Sequence, residues 1–225
     1  GDPVALIVAD TLGHAKDAAE LVEVDYDPLP AVADTYGATQ PGAARVWPDV
    51  KNNVCFELAW GDAQAVDTAF KRAARVVKVE LENNRLVANA IEPRVAVADY
   101  DPATDRSTLY TPTQGPHVIH GQITDAILKL DKAKVRVVSG NVGGGFGMKA
   151  FFYPEYAMAG FAARALGRPV KWTAERSESY LSDTMGRDHV TTAKIAFDAD
   201  HRILGLKVDL IANMGAYYFA FAPYI

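Results

Sequence analysis

Cysteine is nearly absent from this chain. A single residue in 225, Cys55, allows neither an internal disulfide nor a cysteine-rich metal cluster. Flanked by Val54 and Phe56, that lone thiol reads as a packed core side chain rather than a nucleophile. No apolar run reaches the roughly 20 residues needed to cross a bilayer. Positive charge is in deficit: the net charge of −5 speaks against a nucleic-acid-binding surface. No Ser/His/Asp arrangement has a recognisable local context. His117 and His120 lie three apart on an expected helix, but no third ligand stands at a known spacing, so they are read as no metal site.

What is present is a glycine run, Val142-Gly143-Gly144-Gly145-Phe146-Gly147-Met148-Lys149. It follows a strand-like segment, Lys134 to Val138, and precedes a helix-like one from Pro154. Such a turn either serves as a flexible connector or holds a polar cofactor against unpaired N–H groups. Both common nucleotide signatures fail. Gly147 is followed by Met148 rather than by Lys and Ser/Thr, and Gly143, Gly145 and Gly147 lack the dinucleotide spacing. A phenylalanine among glycines offers an apolar wall to a ligand.

At 49% hydrophobic and 23% charged residues, the composition is that of a soluble globular protein. Val4 to Ala9 reads as a strand, His14 to Val22 as a helix, and Val22 to Tyr26 as an alternating strand. Pro28, Pro30 and Pro41, with Gly37 and Gly42, mark an irregular connector. Gly61-Asp62 opens a helix bearing Ala65, Val66, Ala69, Phe70 and Ala73 on one face. Strands follow at Val76 to Leu81, Val95 to Tyr100 and Ser107 to Thr111, then a helix from Pro116 to Leu130. Pro154 suits the first turn of a helix ending near Gly167, and two long strands span Val190 to Phe197 and Ile203 to Ala212. The chain begins without Met and ends on an aromatic stretch, Tyr217 to Ile225. It is therefore expected to be a piece of a longer polypeptide, whose tail either drives homo-oligomerisation or packs into a vacant ligand cleft.

Three polar segments remain open on residue chemistry alone. Gln114, in Thr111-Pro112-Thr113-Gln114-Gly115-Pro116, is more often a cap or turn residue than a ligand contact. Glu92-Pro93-Arg94 reads as a surface ion pair. Glu175 to Ser179 reads as a solvated loop or a helix start.

In order along the chain, five segments together carry a family resemblance. They are Val22 to Pro30, Ile91-Glu92-Pro93-Arg94, Thr113-Gln114-Gly115-Pro116-His117, Val142 to Lys149, and Pro169 to Glu178. In these the chain resembles the molybdopterin-binding large subunit of the xanthine dehydrogenase / aldehyde oxidase family, nearest the carbon monoxide dehydrogenase large-chain branch. The resemblance implies an α+β (mixed α/β) fold. Residues 1–30 are expected to end an α/β hammerhead domain, 31–55 to connect, and 56–225 to begin the molybdopterin-binding domain. It implies that Gln114, with Gly144, Gly145, Phe146 and Gly147, approaches the molybdenum centre, and that Phe146 shapes the substrate pocket. The implied cofactor is molybdopterin, in the cytosine dinucleotide form, with molybdenum. FAD and 2Fe-2S clusters are expected on a medium and a small partner subunit, in a cytoplasmic enzyme. The piece itself is also open to being a folded domain that binds no cofactor. The implied reaction is hydroxylation of a carbon in a small molecule with water as the oxygen source. The family's glutamate base comes late in its chain, so no catalytic residue is expected among these 225, and the piece alone is expected to be inactive. Purine-oxidising members carry an acidic residue after the loop lysine, and Ala150 stands there instead. Carbon monoxide, aldehydes and aromatic N-heterocycles remain the candidate substrates.

Overall fold

The computed structural model describes residues 2–218. In chain order its helices and strands are α1 (Leu12–Ala19), α2 (Ala63–Arg72), β1 (Arg75–Asn83), β2 (Leu86–Val87), β3 (Val95–Asp101), β4 (Arg106–Tyr110), α3 (Pro116–Gly121), β5 (Val135–Val138), α4 (Pro154–Leu166), β6 (Val170–Thr173), α5 (Arg176–Ser182), β7 (Met185–Gly186), β8 (His189–Phe197) and β9 (Ile203–Ala212). Two compact units interleave along the chain. One comprises Gly1–Tyr26 with Val87–Met185, the other Asp27–Leu86 with Gly186–Ile225. Among the described residues no helix is long and apolar enough to cross a membrane.

The first unit is built on a four-stranded sheet in the order β5-β4-β3-β6. β3 runs antiparallel to both β4 and β6, whereas β4 and β5 are parallel. A parallel pair needs a crossover, and the helical segment after Pro116 supplies it. α4 packs on β3 and β6. Its Ala159, Ala162 and Ala163 are buried with Ala96 and Ala98 of β3, so small side chains bring helix and sheet close. Ile119, fully buried in the same core, contributes about 1.5–3 kcal/mol by leaving water. Pro154 occupies the first turn of α4, and Gly167 ends it in the left-handed conformation, φ 61°.

The second unit is an antiparallel sheet in the order β1-β8-β9. Asp62 caps α2 by accepting from the Ala65 N–H at 2.9 Å. α2 lies on β9, where Gly205 leaves room: a Cβ there would stand 3.1 Å from Ala69 Cβ. Register pairs Val79 with Ala193 and Ala193 with Val208. One face of this sheet therefore carries Val77, Val79, Leu81, Leu206, Val208 and Leu210 in a row, all exposed.

Several expectations need correction. Residues 4–9 and 22–26 form no strand, since neither joins a sheet among the described residues. Alternation gives a chain the capacity to pair; the strand itself needs the partner. Cys55 is exposed rather than packed, for it lies in residues 54–60, which join no sheet. The helix from Pro116 changes winding after Gly121: Gln122–Ile127 is π-helical, and Leu128 N–H donates five residues back to Ile123 O at 2.9 Å. The buried Thr124 hydroxyl donates to the His120 carbonyl at 2.9 Å, taking an acceptor that α winding would use. Of the aromatic tail, residues 219–225 lie outside the described residues.

Candidate functional site

β5 ends at Val138, and the glycine run then crosses to a short 3₁₀ turn, Met148–Ala150, before α4. Three residues of the run have positive φ: Gly144 at 96°, Phe146 at 51° and Gly147 at 91°. For Phe146 this conformation is disfavoured, and its ring is 77% exposed. Loop contacts therefore hold an aromatic side chain outward instead of letting it join the core.

Gln114 organises the middle of the loop. Its Oε1 accepts the Gly147 N–H at 2.9 Å, and its own backbone N–H donates to the Lys149 carbonyl at 3.0 Å. Thr113 Oγ1 donates to the same carbonyl at 2.9 Å. A Cβ on Gly145 would come within 2.5 Å of Gln114 Oε1. Gly145 is thus glycine because the Gln114 side chain needs its space, and Gly147 because its φ of 91° excludes other residues. Gln114 is not the cap of α3, which is Gly115. The sequence-expected residues Gln114, Gly144, Gly145, Phe146 and Gly147 accordingly stand together.

Beneath the loop lies a second layer. The Gly143 N–H donates to Glu92 Oε2 at 2.8 Å, and Lys149 Nζ donates to that same oxygen at 2.7 Å. Lys149 is completely buried. Burial pushes the Glu92 carboxyl up, but Lys149 and the Gly143 N–H together outweigh this and hold it below the ordinary value. Arg94 is also completely buried. It donates to Asp183 at 2.5 Å, to both Glu155 oxygens at 2.9 and 3.2 Å, and to Ser182 at 2.9 Å. Its guanidinium lies 3.8 Å from the Tyr153 ring centroid. Burial alone would lower the Arg94 pKa, but Glu155 and Asp183 raise it. The expected surface ion pair at Glu92-Pro93-Arg94 is thereby corrected. The two charges point to different partners, and Arg94 belongs to the core.

The remaining expected groups lie elsewhere. His120 Nε2 contacts the Lys132 and Val135 carbonyls at 3.2 and 3.1 Å. Glu175 and Glu178 form a capping box that starts α5. A cavity of about 220 Å³, bounded by Leu109, Ile123, Leu128, Tyr156 and Phe161 among others, includes no loop residue.

What the loop offers a ligand is a set of donors. The N–H groups of Gly144, Gly145 and Phe146, and the Gln114 Nε2, have no acceptor among the described residues; Phe146 and Gln114 are exposed, Gly144 is half-buried and Gly145 is buried. Unpaired backbone donors with an apolar ring beside them fit a polar or anionic group that approaches the chain closely.

The molybdopterin cofactor-binding domain family matches residues 46–225. The chain is 34% identical over 226 residues to the carbon monoxide dehydrogenase large chain of Hydrogenophaga pseudoflava, covering 95% of this chain and 28% of that one. It is 36% identical over 221 residues to the 6-hydroxypseudooxynicotine dehydrogenase complex subunit gamma of Paenarthrobacter nicotinovorans, covering 97% and 27%. The crystal structure of quinoline 2-oxidoreductase from Pseudomonas putida 86 superposes with a TM-score of 0.86 at 34% identity, over 93% of this chain and 26% of that chain. The chain spans a little over a quarter of the length of these relatives.

Proposed function

This chain belongs to the molybdopterin cofactor-binding domain family of molybdenum-dependent oxidoreductases, and from that premise we propose that its glycine loop receives the cofactor in the large subunit of a molybdenum hydroxylase. One observation carries the reading. Gln114 Oε1 holds the Gly147 N–H, and the three preceding amides, of Gly144, Gly145 and Phe146, have no acceptor among the described residues. Those amides and the Gln114 amide group would bind and orient the cofactor. Phe146 would close one side of the substrate space and exclude water from it. The cofactor, a molybdopterin in its cytosine dinucleotide form, supplies two-electron oxidation with water as the oxygen source; the protein supplies position and electrostatics.

The arrangement we propose for the whole protein keeps residues 1–30 as the end of a hammerhead domain, 31–55 as connector and 56–225 as the first part of the cofactor domain. It adds a medium FAD subunit and a small 2Fe-2S subunit to carry electrons away, all in the cytoplasm. The substrate reading is a small carbon centre, as in carbon monoxide dehydrogenase. A second reading, an aromatic N-heterocycle, is favoured by the outward Phe146 ring, against which a flat heterocycle stacks. The test is to purify the complete large subunit with its partner subunits. Molybdenum and pterin are quantified, and dye reduction is followed with carbon monoxide, aldehydes and N-heterocycles. Stoichiometric cofactor and turnover on one class are expected. A well-folded assembly without molybdenum would overturn the proposal.

A further inference from the structure

We propose that Glu92 and Lys149 are positioning residues: a single carboxylate oxygen ties the two ends of the glycine loop together and so sets the spacing of the amides between them. The inference rests on the cofactor reading of that loop. Gly143 enters the loop and Lys149 leaves it, and both donate to Glu92 Oε2, at 2.8 and 2.7 Å. Residue 92 grips Gly143 from its other side as well, for the Glu92 N–H donates to the Gly143 carbonyl at 3.1 Å. The approach is close enough that a Cβ on Gly143 would meet Glu92 Cβ at 2.6 Å. At the far end, the Lys149 carbonyl is held by Thr113 Oγ1 and the Gln114 N–H. Side chain and carbonyl of Lys149 are thus fixed separately.

Glu92 is itself immobilised. Arg176 donates to the carbonyls of Ala90 and Ile91 at 2.7 and 2.9 Å, just before it. Pro93 fixes φ just after it, and Arg94 is bound in the core by Asp183 and Glu155. The carboxylate therefore sits on a rigid platform, and the loop is referenced to that platform rather than to its own flexible backbone.

An ordinary core ion pair would be free to be replaced by apolar groups of similar size. Here the pair spans a loop whose middle holds Gly144, Gly145 and Phe146, the residues with free amides. The charges matter because they fix where those donors stand. Losing the pair would leave the fold intact and let the loop breathe.

The complete subunit assembled with its partners tests this. In the double variant Glu92→Gln/Lys149→Met both charges disappear and side-chain volume is kept, so no buried charge is stranded. Its Tm is expected to stay within a few degrees of the parent. Hydrogen exchange at the amides of residues 143–147 is expected to rise about tenfold. The fraction of molybdenum retained after dialysis against excess phosphate is expected to fall severalfold. The single variant Glu92→Gln strands the Lys149 ammonium and should lower the Tm, which the double variant restores. Unchanged exchange in the double variant would overturn the inference. So would a large fall in its Tm, which would make the pair part of the core, or faster exchange with full molybdenum retention. Gly145→Ala, run in parallel, separates the two ideas. Should it retain molybdenum, the cofactor reading of the loop fails, while loop exchange still reports on the clamp.

Discussion

Substituting Gly145 by alanine is the sharpest probe of the site, because its cost is worked from three contacts with one side chain. The new Cβ would stand 2.5 Å from Gln114 Oε1, 2.8 Å from Cδ and 2.9 Å from Cγ. Gly145 does not have positive φ, so the backbone tolerates alanine and only the side-chain clash remains. Gln114 is exposed and able to swing away, and on doing so it loses the bond from the Gly147 N–H. One hydrogen bond lost near the surface costs about 0.5–1.5 kcal/mol, or about 1–6 °C in Tm for a domain of this size. The cofactor loses more. Displacing a donor that faces a charged or strongly polar group costs about 1.5–3 kcal/mol, which is roughly tenfold or more in affinity. Gly145→Ala should therefore melt near the parent and yet purify with a small fraction of its molybdenum. Thermal unfolding and metal analysis on one preparation measure both. Gly140→Ala is the control, since a Cβ there meets nothing within 4 Å. Full molybdenum content in Gly145→Ala, or equal losses in Gly140→Ala, would refute the reasoning.

Phe146→Ala should cost well under the 3–5 kcal/mol of a buried phenylalanine, because its ring is 77% exposed; kcat/KM of the assembled enzyme should fall while the Tm holds, and a marked drop in Tm with unchanged kinetics would contradict the assignment. Arg94→Met strands Asp183, whose side chain is 1% exposed, and Glu155, at 14%, so chemical denaturation should show about 3–5 kcal/mol of destabilisation. The Glu92 carboxyl is held below its reference of 4.5. A depressed folded-state value means that its stabilisation is fully present above pH 4.5 and is lost as pH falls through the folded value. Exchange of the loop amides, relative to Glu92→Gln, should thus be slow from pH 5 to 8, and the two proteins should converge under more acidic conditions.

Elements that announce themselves locally were readable in the sequence. Asp62 before an apolar helical face, Pro154 at a first turn and Gly167 at a helix end each place a boundary by chemistry that acts within four residues. The long strands β8 and β9 were readable because apolar alternation ran on both sides of one turn. Residues 4–9 and 22–26 show the limit: an apolar run in one and alternation in the other were present and the pairing was not, because a strand is a property of two segments. The π winding at Gln122–Ile127 also escaped, since apolar spacing over one and a half turns does not separate 3.6 from a wider period.

The site divides along the same line. Gln114 and the glycine run were found through a family resemblance; chemistry alone left Gln114 as a cap and the run as an even choice. Glu92 and Lys149 were missed because they are 57 residues apart. Each looked ordinary where it stood, Glu92 beside a proline and an arginine, Lys149 at the end of a loop. The one local signal was the adjacency of Glu92 and Arg94, and it pointed wrongly to a pair. Proline between them favours extended backbone at residue 92, which helps to send the two side chains to different places. Arg94 went into the core with Asp183 and Glu155, and Glu92 went to the loop. An acid and a base flanking proline therefore mark a branch point, where one charge anchors the chain and the other is presented from that anchor. In this protein what is presented is the oxygen that pairs with both ends of the glycine loop, and loosening of that loop in the Glu92→Gln/Lys149→Met double variant is the outcome that tests this account.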